Sequence, residues 1–226
     1  CEADENHMIL KLIKPGDVIF DIGANIGWYT LLILAECKGR SIVYSFEPIK
    51  SSYQYLLKNL AFNNQNTDKA YNFGFSDENK KVKFYFDIED ATASSMANLR
   101  EDEETVPVEC EVRKMDDFVS SKLSLEKLDF IKCDVEGAEK FVFEGGIETI
   151  KKYKPIIFSE MLRKWSKKFG YHPNDIINFF RDIDYECYVI DKDKIKKFRY
   201  VDENTKETMY LFFHKEKHKK IIKTLK

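Results

Sequence analysis

Strand-length apolar runs alternate with helix-length amphipathic stretches along most of this chain, and that alternation admits few folds. Residues 17–22, 42–47, 70–75, 128–134 and 155–160 read as strands. Helices are expected at 25–36 and 51–63, and "GAEKFVFEGGIETIKKYKP" reads as a helix broken at Gly145-Gly146 and closed before Pro155. Strands joined through helices build a parallel sheet with helices on both faces, so the expectation is an α/β fold.

Residues 82–118 break the rhythm. "KVKFYF" and "VPVECEV" read as paired strands of a hairpin insertion, placed at 82–112, with a long acidic loop between them. Ser94 and Ser95 sit in that loop, which can either close over an acceptor or serve as plain connecting chain. Further on, a helix near 174–182, a strand "YECYVI", a charged turn region and a strand "MYLFF" would add one antiparallel strand to the sheet. Residues 1–13 read as a helical lead-in and 215–226 as a basic, solvated terminal helix, the whole forming a single domain of 226 residues.

With 43% hydrophobic residues the chain has material for a sizeable core, and a net charge of −2 argues against a general nucleic-acid binder. No apolar run approaches the roughly 20 residues of a membrane span. The five cysteines are scattered without a C-x-x-C pair, which points to a reducing, cytoplasmic setting. The chain begins with Cys rather than Met, as a piece of a longer protein would.

The ligand is written in "DIGANIGWYT", the loop after the first strand. Gly23 and Gly27 let backbone approach a ligand, but the spacing is not G-x-G-x-x-G, and Asp21 stands just ahead of the first glycine. A carboxylate repels a pyrophosphate and attracts an ammonium or sulfonium. S-adenosylmethionine carries both cations and no phosphate. A strand-ending turn capped by Asp21 is the plainer alternative. Glu47 closes the next strand about 20 residues beyond Gly27, where an acid can accept hydrogen bonds from ribose hydroxyls. It reads equally as a surface acid before the helix-starting Pro48.

The strings "DIGANIGWYT", "FEPIKSSYQYLLKNLAFNN", "FGFSDENKKVKFYF", "MDDF", "LDFIKCDVEGAEKFVFEGG" and "IIFSEM" resemble, in order, the motifs of the FkbM family of S-adenosylmethionine-dependent methyltransferases. The likeness runs from about Lys14 to Met161, and "KCDVEGAE" is its most specific part. It implies a Rossmann-like class I methyltransferase with a seven-stranded sheet, and methyl transfer to a hydroxyl of a sugar, glycolipid or secondary metabolite. The implied cofactor residues are Asp21, Gly23, Asn25, Gly27, Glu47, Pro48 and Asp134, with Ser76 and Asp77 near the adenine edge.

Such a transfer needs the acceptor oxygen held in line with the methyl carbon and, for a hydroxyl, a base. Asp134 and Glu136 at the end of the fourth strand fit the role, with Glu160 on the same rim; Glu136 and Glu139 can also simply favour a helix start. Nothing in the spacing requires a metal, and His214-x-x-x-His218 straddles a strand end, a poor ligand pair. His172 reads as an acceptor-site residue or as a turn cap before Pro173. The partner expected is a hydroxylated small molecule or glycan, with no nucleic acid. An NAD-dependent oxidoreductase and a silent cofactor-binding module are the alternatives.

Overall fold

A computed structural model describes residues 2–87 and 105–226. Cys1 and most of the acidic loop, with Ser94 and Ser95, lie outside the described residues. The chain opens with α1 (Glu2–Leu12), β1 (Val18–Ile22), α2 (Trp28–Glu36), β2 (Ile42–Phe46) and α3 (Lys50–Phe62). Short strands β3 (Ala70–Tyr71) and β4 (Gly74–Phe75) precede the hairpin β5 (Lys80–Asp87) and β6 (Thr105–Arg113). Then come α4 (Met115–Lys122), β7 (Phe130–Cys133), α5 (Glu139–Glu144), α6 (Ile147–Tyr153), β8 (Ile156–Glu160) and α7 (Arg163–Ser166). The chain ends through α8 (Pro173–Asp182), β9 (Tyr185–Asp191), β10 (Lys194–Lys197), β11 (Met209–His214) and α9 (Lys219–Leu225).

The main sheet runs β10-β9-β11-β8-β7-β1-β2-β3, parallel from β8 to β3, with β11 antiparallel to both β8 and β9. Every residue of β1 and β7 is buried, which is why their sequences are nearly continuous apolar runs. The period of two splits each strand between two cores. Phe20, Ile22, Ile131 and Ile157 face α4, α5, α6 and α8, while Ile19, Phe130 and Phe158 face α1, α2 and α9.

Four expectations need correction. The sheet has eight strands, because the charged turn region contains β10: Ile195 is buried beneath it while Lys194, Lys196 and Lys197 stay exposed. Lys192, at φ 58, supplies the turn that pairs β10 antiparallel to β9. Residues 70–75 form two strands, since the Asn72 amide donates to the carbonyls of Glu47 (2.9 Å) and Pro48 (3.0 Å) and turns the chain out of the main sheet. Beyond that turn β4 joins the hairpin in a separate sheet, β4-β6-β5. Helix α2 starts at Trp28 rather than at 25, because Asn25 (φ 48) and Gly27 (φ 93) are left-handed. The terminal helix is not simply solvated, for Ile222 and Leu225 are buried in the second core. Among the described residues no helix is long and apolar enough to cross a membrane.

Candidate active site

The winding reverses between β1 and β7, which pair in parallel at the centre of the sheet, and open α/β sheets bind ligands outside the carboxyl ends of strands at that point. A cavity of about 490 Å³ lies there, walled by the Gly23–Ile26 loop, Glu47–Ile49, Lys132 and the turn after β7.

The loop after β1 is shaped by close approach. Gly23 and Ala24 both donate their N–H groups to the Phe46 carbonyl at 3.0 Å, tying the loop to the end of β2. At Gly23 (φ 74) an added Cβ would stand 1.9 Å from the Asp134 carbonyl oxygen. Gly27 does not line the cavity; an added Cβ there would stand 2.7 Å from Leu56 Cδ1, so this glycine lets α2 pack against α3.

Glu47 is buried at the cavity wall, its Oε2 accepting from Asn25 N (2.9 Å) and its Oε1 from Ile49 N (2.8 Å). Burial raises its pKa to about 7, against the lowering effect of those two N–H groups. Asn25 and Pro48 also line the cavity.

Asp21 sits one layer behind the wall. Its Oδ2 accepts from Thr30 Oγ1 (2.6 Å), and its Oδ1 is 3.5 Å from Lys132 Nζ. Lys132 therefore meets the cavity where Asp21 was expected to, because the β1–β7 register sets the two residues side by side. Its Nζ donates to the Gly23 carbonyl (2.9 Å), lies 3.5 Å from Asp134 Oδ2 and covers the Tyr29 ring. Burial pulls the pKa of this lysine down, but Asp134 and Asp21 outweigh it and the net shift is upward.

Asp134, Glu136 and Glu160 converge on the other wall, each offering a carboxylate oxygen within 4.8 Å of the others. Three oxygens that close can share one cation. Glu136 (φ 54) and Gly137 (φ 100) form a left-handed pair that turns the chain from β7 into α5. Burial, then Asp134, Glu136 and Glu139, push the Glu160 pKa up to about 9. Glu139 does not line the cavity; its buried Oε1 accepts from Val135 N (3.2 Å) and Gly137 N (3.0 Å) and holds the turn.

Ser76 and Asp77 do not line the cavity either. They face a neighbouring one of about 420 Å³ with Phe141 and Phe169, and Ser76 Oγ donates to Asp77 Oδ1 at 3.0 Å. His172 is the cap of α8, its Nδ1 accepting from Asn174 N (3.2 Å). His214 and His218 are buried and serve the backbone, with His218 Nδ1 accepting from His214 N (3.0 Å). Lys132 lines the cavity although it was not among the expected site residues. A lysine inside the buried run "FIKC" is itself a signal, since a buried charge requires partners.

Known proteins bear on this geometry. The family model described as "Methyltransferase FkbM domain" matches residues 21–187. Methyltransferase 1 of Beauveria bassiana (strain ARSEF 2860) is 26% identical over 144 residues, covering 56% of this chain and 57% of its own length. The 2-O-methyltransferase NoeI of Sinorhizobium fredii (strain NBRC 101917 / NGR234) is 28% identical over 166 residues, covering 68% of this chain and 66% of its own. The chain thus spans less than two thirds of either relative. Among solved structures, methyltransferase FkbM from Methylobacillus flagellatus KT superposes with a TM-score of 0.57 at 20% identity, over 89% of this chain and 44% of that one. A Streptococcus mutans protein solved in complex with SAH gives a TM-score of 0.51 at 9% identity, over 94% and 96%. With its family model spanning β1 to β9 and its glycine loop, acids and switch point in place, this chain belongs to the FkbM methyltransferase family.

Proposed function

We propose that the protein is an S-adenosylmethionine-dependent methyltransferase acting on a hydroxyl group, with a sugar, glycolipid or similar small molecule as acceptor. The observation that carries the cofactor is electrostatic. Among the described residues lining the cavity the only basic side chain is Lys132, and Asp21 and Asp134 flank it. Nothing there neutralises a pyrophosphate, so the cavity disfavours a dinucleotide. An acid-walled cavity with Glu47 at the end of β2 fits a ribose diol beside a cationic sulfonium. The SAH-bound relative of the same fold supports this reading.

In this reading Gly23, Asn25, Glu47 and Pro48 hold the cofactor, and Asp21 acts through Lys132. When bound, S-adenosylmethionine supplies an electrophilic methyl carbon. Asp134, Glu136 and Glu160 stand where an acceptor hydroxyl would lose its proton. With Glu160 protonated at neutral pH and Asp134 flanked by Lys132, Glu136 is the acid best placed to accept it. Transfer to oxygen draws further support from the likeness to a 2-O-methyltransferase.

Calorimetric titration with S-adenosylmethionine, S-adenosylhomocysteine and NAD tests the cofactor. Micromolar affinity for the first two and none for NAD is expected; the reverse order would sink the proposal.

A further inference from the structure

A second cavity, of about 560 Å³, lies between α1 and the β8–β11 pair and shares Trp28, Tyr29, Asp134 and Glu160 with the first. We infer that this second cavity is the acceptor subsite and that it takes an uncharged, hydroxylated ring of the sugar type, laid against the indole of Trp28. The inference rests on the methyltransferase reading above and adds where the acceptor binds and what it must be.

Connectivity comes first. Asp134 and Glu160 form part of both walls, so a hydroxyl entering from the α1 side arrives at the same carboxylates that face the cofactor side. Glu136 lines only the first cavity, but its carboxylate lies within 4.8 Å of those of Asp134 and Glu160, so a hydroxyl held at these two acids is close to it.

Charge then narrows the class. The second cavity is lined by the acids Glu5, Asp134 and Glu160, and by no basic side chain among the described residues. A phosphate or carboxylate on the acceptor would find no basic side chain lining this cavity to pair with, since Lys132 lines only the first cavity and already lies beside Asp134 and Asp21. The subsite therefore favours an uncharged acceptor over an anionic one.

The remaining walls suit a ring bearing hydroxyls. Trp28 is 64% exposed although it opens α2 beside the cavity, leaving an indole face free to cover the C–H face of a ring. Thr208 and Asn6 supply polar edges, and the buried Asn6 Oδ1 has no hydrogen-bond partner among the described residues. An unsatisfied buried amide oxygen is costly in a folded chain and is the kind of group a donor hydroxyl can satisfy. Burial of Met8 and Ile9 fixes α1 against the sheet, so Glu5 and Asn6 form a firm wall.

The test is saturation-transfer NMR with glucose, N-acetylglucosamine, glucuronate and glucose 6-phosphate, with and without S-adenosylhomocysteine. Transfer from the two uncharged sugars alone is expected. Thr208→Trp, at a residue that lines the second cavity and not the first, should abolish it while calorimetry shows S-adenosylhomocysteine affinity within about threefold of wild type. Trp28→Ala should weaken sugar binding at least tenfold. Should Thr208→Trp fail to fold, Glu5→Lys gives an independent arm, for it should admit glucuronate. The inference falls if neither uncharged sugar binds, if the anions bind equally well, or if the sugar signals survive Thr208→Trp. Failure of the wild type to bind S-adenosylhomocysteine defeats the cofactor reading instead, and the sugar arm without it is scored separately.

Discussion

Asp21 and Lys132 are register partners on adjacent parallel strands, and their side chains face each other at 3.5 Å with 0% and 3% of their surface exposed. A buried pair of this kind is costly to break from one side, about 3 to 5 kcal/mol, because the remaining charge is left uncompensated. Asp21→Asn should therefore lower unfolding free energy by that order in urea titration. Lys132→Met added to it should cost less than the sum of the single losses. Strict additivity of the two would show that the pair is not energetically coupled.

Cofactor affinity should depend on Glu47 and not on Asp77. Glu47→Ala removes a carboxylate at the cavity wall, and loss of a charge-assisted contact of roughly 1.5 to 3 kcal/mol would weaken S-adenosylmethionine binding about 10- to 100-fold. Asp77→Ala, facing the neighbouring cavity, should leave affinity within about twofold. Equal losses in both variants would mean that Asp77 contacts the cofactor as well.

Under the proposed function, Glu136 is the residue that takes the acceptor's proton. Glu136→Gln should lower kcat by about 10²-fold or more while S-adenosylmethionine affinity stays within a few-fold, because a base acts in the transition state. Unchanged turnover in a folded variant would mean that positioning alone suffices.

Stability should fall as pH rises from 5 to 9. Burial raises the pKa of Glu47 and Glu139 to about 7 and of Glu160 to about 9, so across this range the folded chain holds more protons than the unfolded one. The stabilisation is complete below the unfolded-state values and is lost as pH climbs through the folded ones, with a limiting slope of about 1.4 kcal/mol per pH unit for one group. Glu160→Gln should flatten the upper part of the curve and raise Tm at pH 8.5. An unaltered slope in that variant would mean that Glu160 is ionised throughout.

Two glycines with similar φ should respond differently to alanine. Gly23→Ala drives a Cβ to within 1.9 Å of the Asp134 carbonyl oxygen, whereas Gly16→Ala (φ 95) meets nothing within 4 Å. The second should cost about 1 kcal/mol from backbone strain alone, and the first should prevent folding or cost several times as much. Comparable Tm values would mean that the β1 and β7 turns can separate.

Much of this was legible in sequence, and the reasons are local. The helix break at Gly145-Gly146 and the β5–β6 hairpin follow from backbone chemistry carried by neighbouring residues. Glu47, Asp134 and Glu136 line the cavity at positions legible in the sequence because strand ends mark themselves by the last apolar residue. What escaped depends on contacts distant in the chain. Asn72 bends residues 70–75 only through carbonyls in the turn after β2, and Asp21 retreats from the cavity only because β7 sets Lys132 beside it. The aromatic Trp28 gave no sign of its position, since exposure is not encoded in residue type.

The short strand β10 has a consequence beyond the strand count. It lies at the outer edge of the main sheet, with three of its four residues lysines that face solvent. A lysine-rich strand of that length is a poor template for a strand from another molecule, whereas the seven-residue β9 behind it, "YECYVID", is largely buried and rich in aromatic and β-branched side chains. Shielding β9 in this way protects this end of the sheet from edge-to-edge assembly. Replacing Lys194, Lys196 and Lys197 with valine would turn a passive border into an aggregation seed.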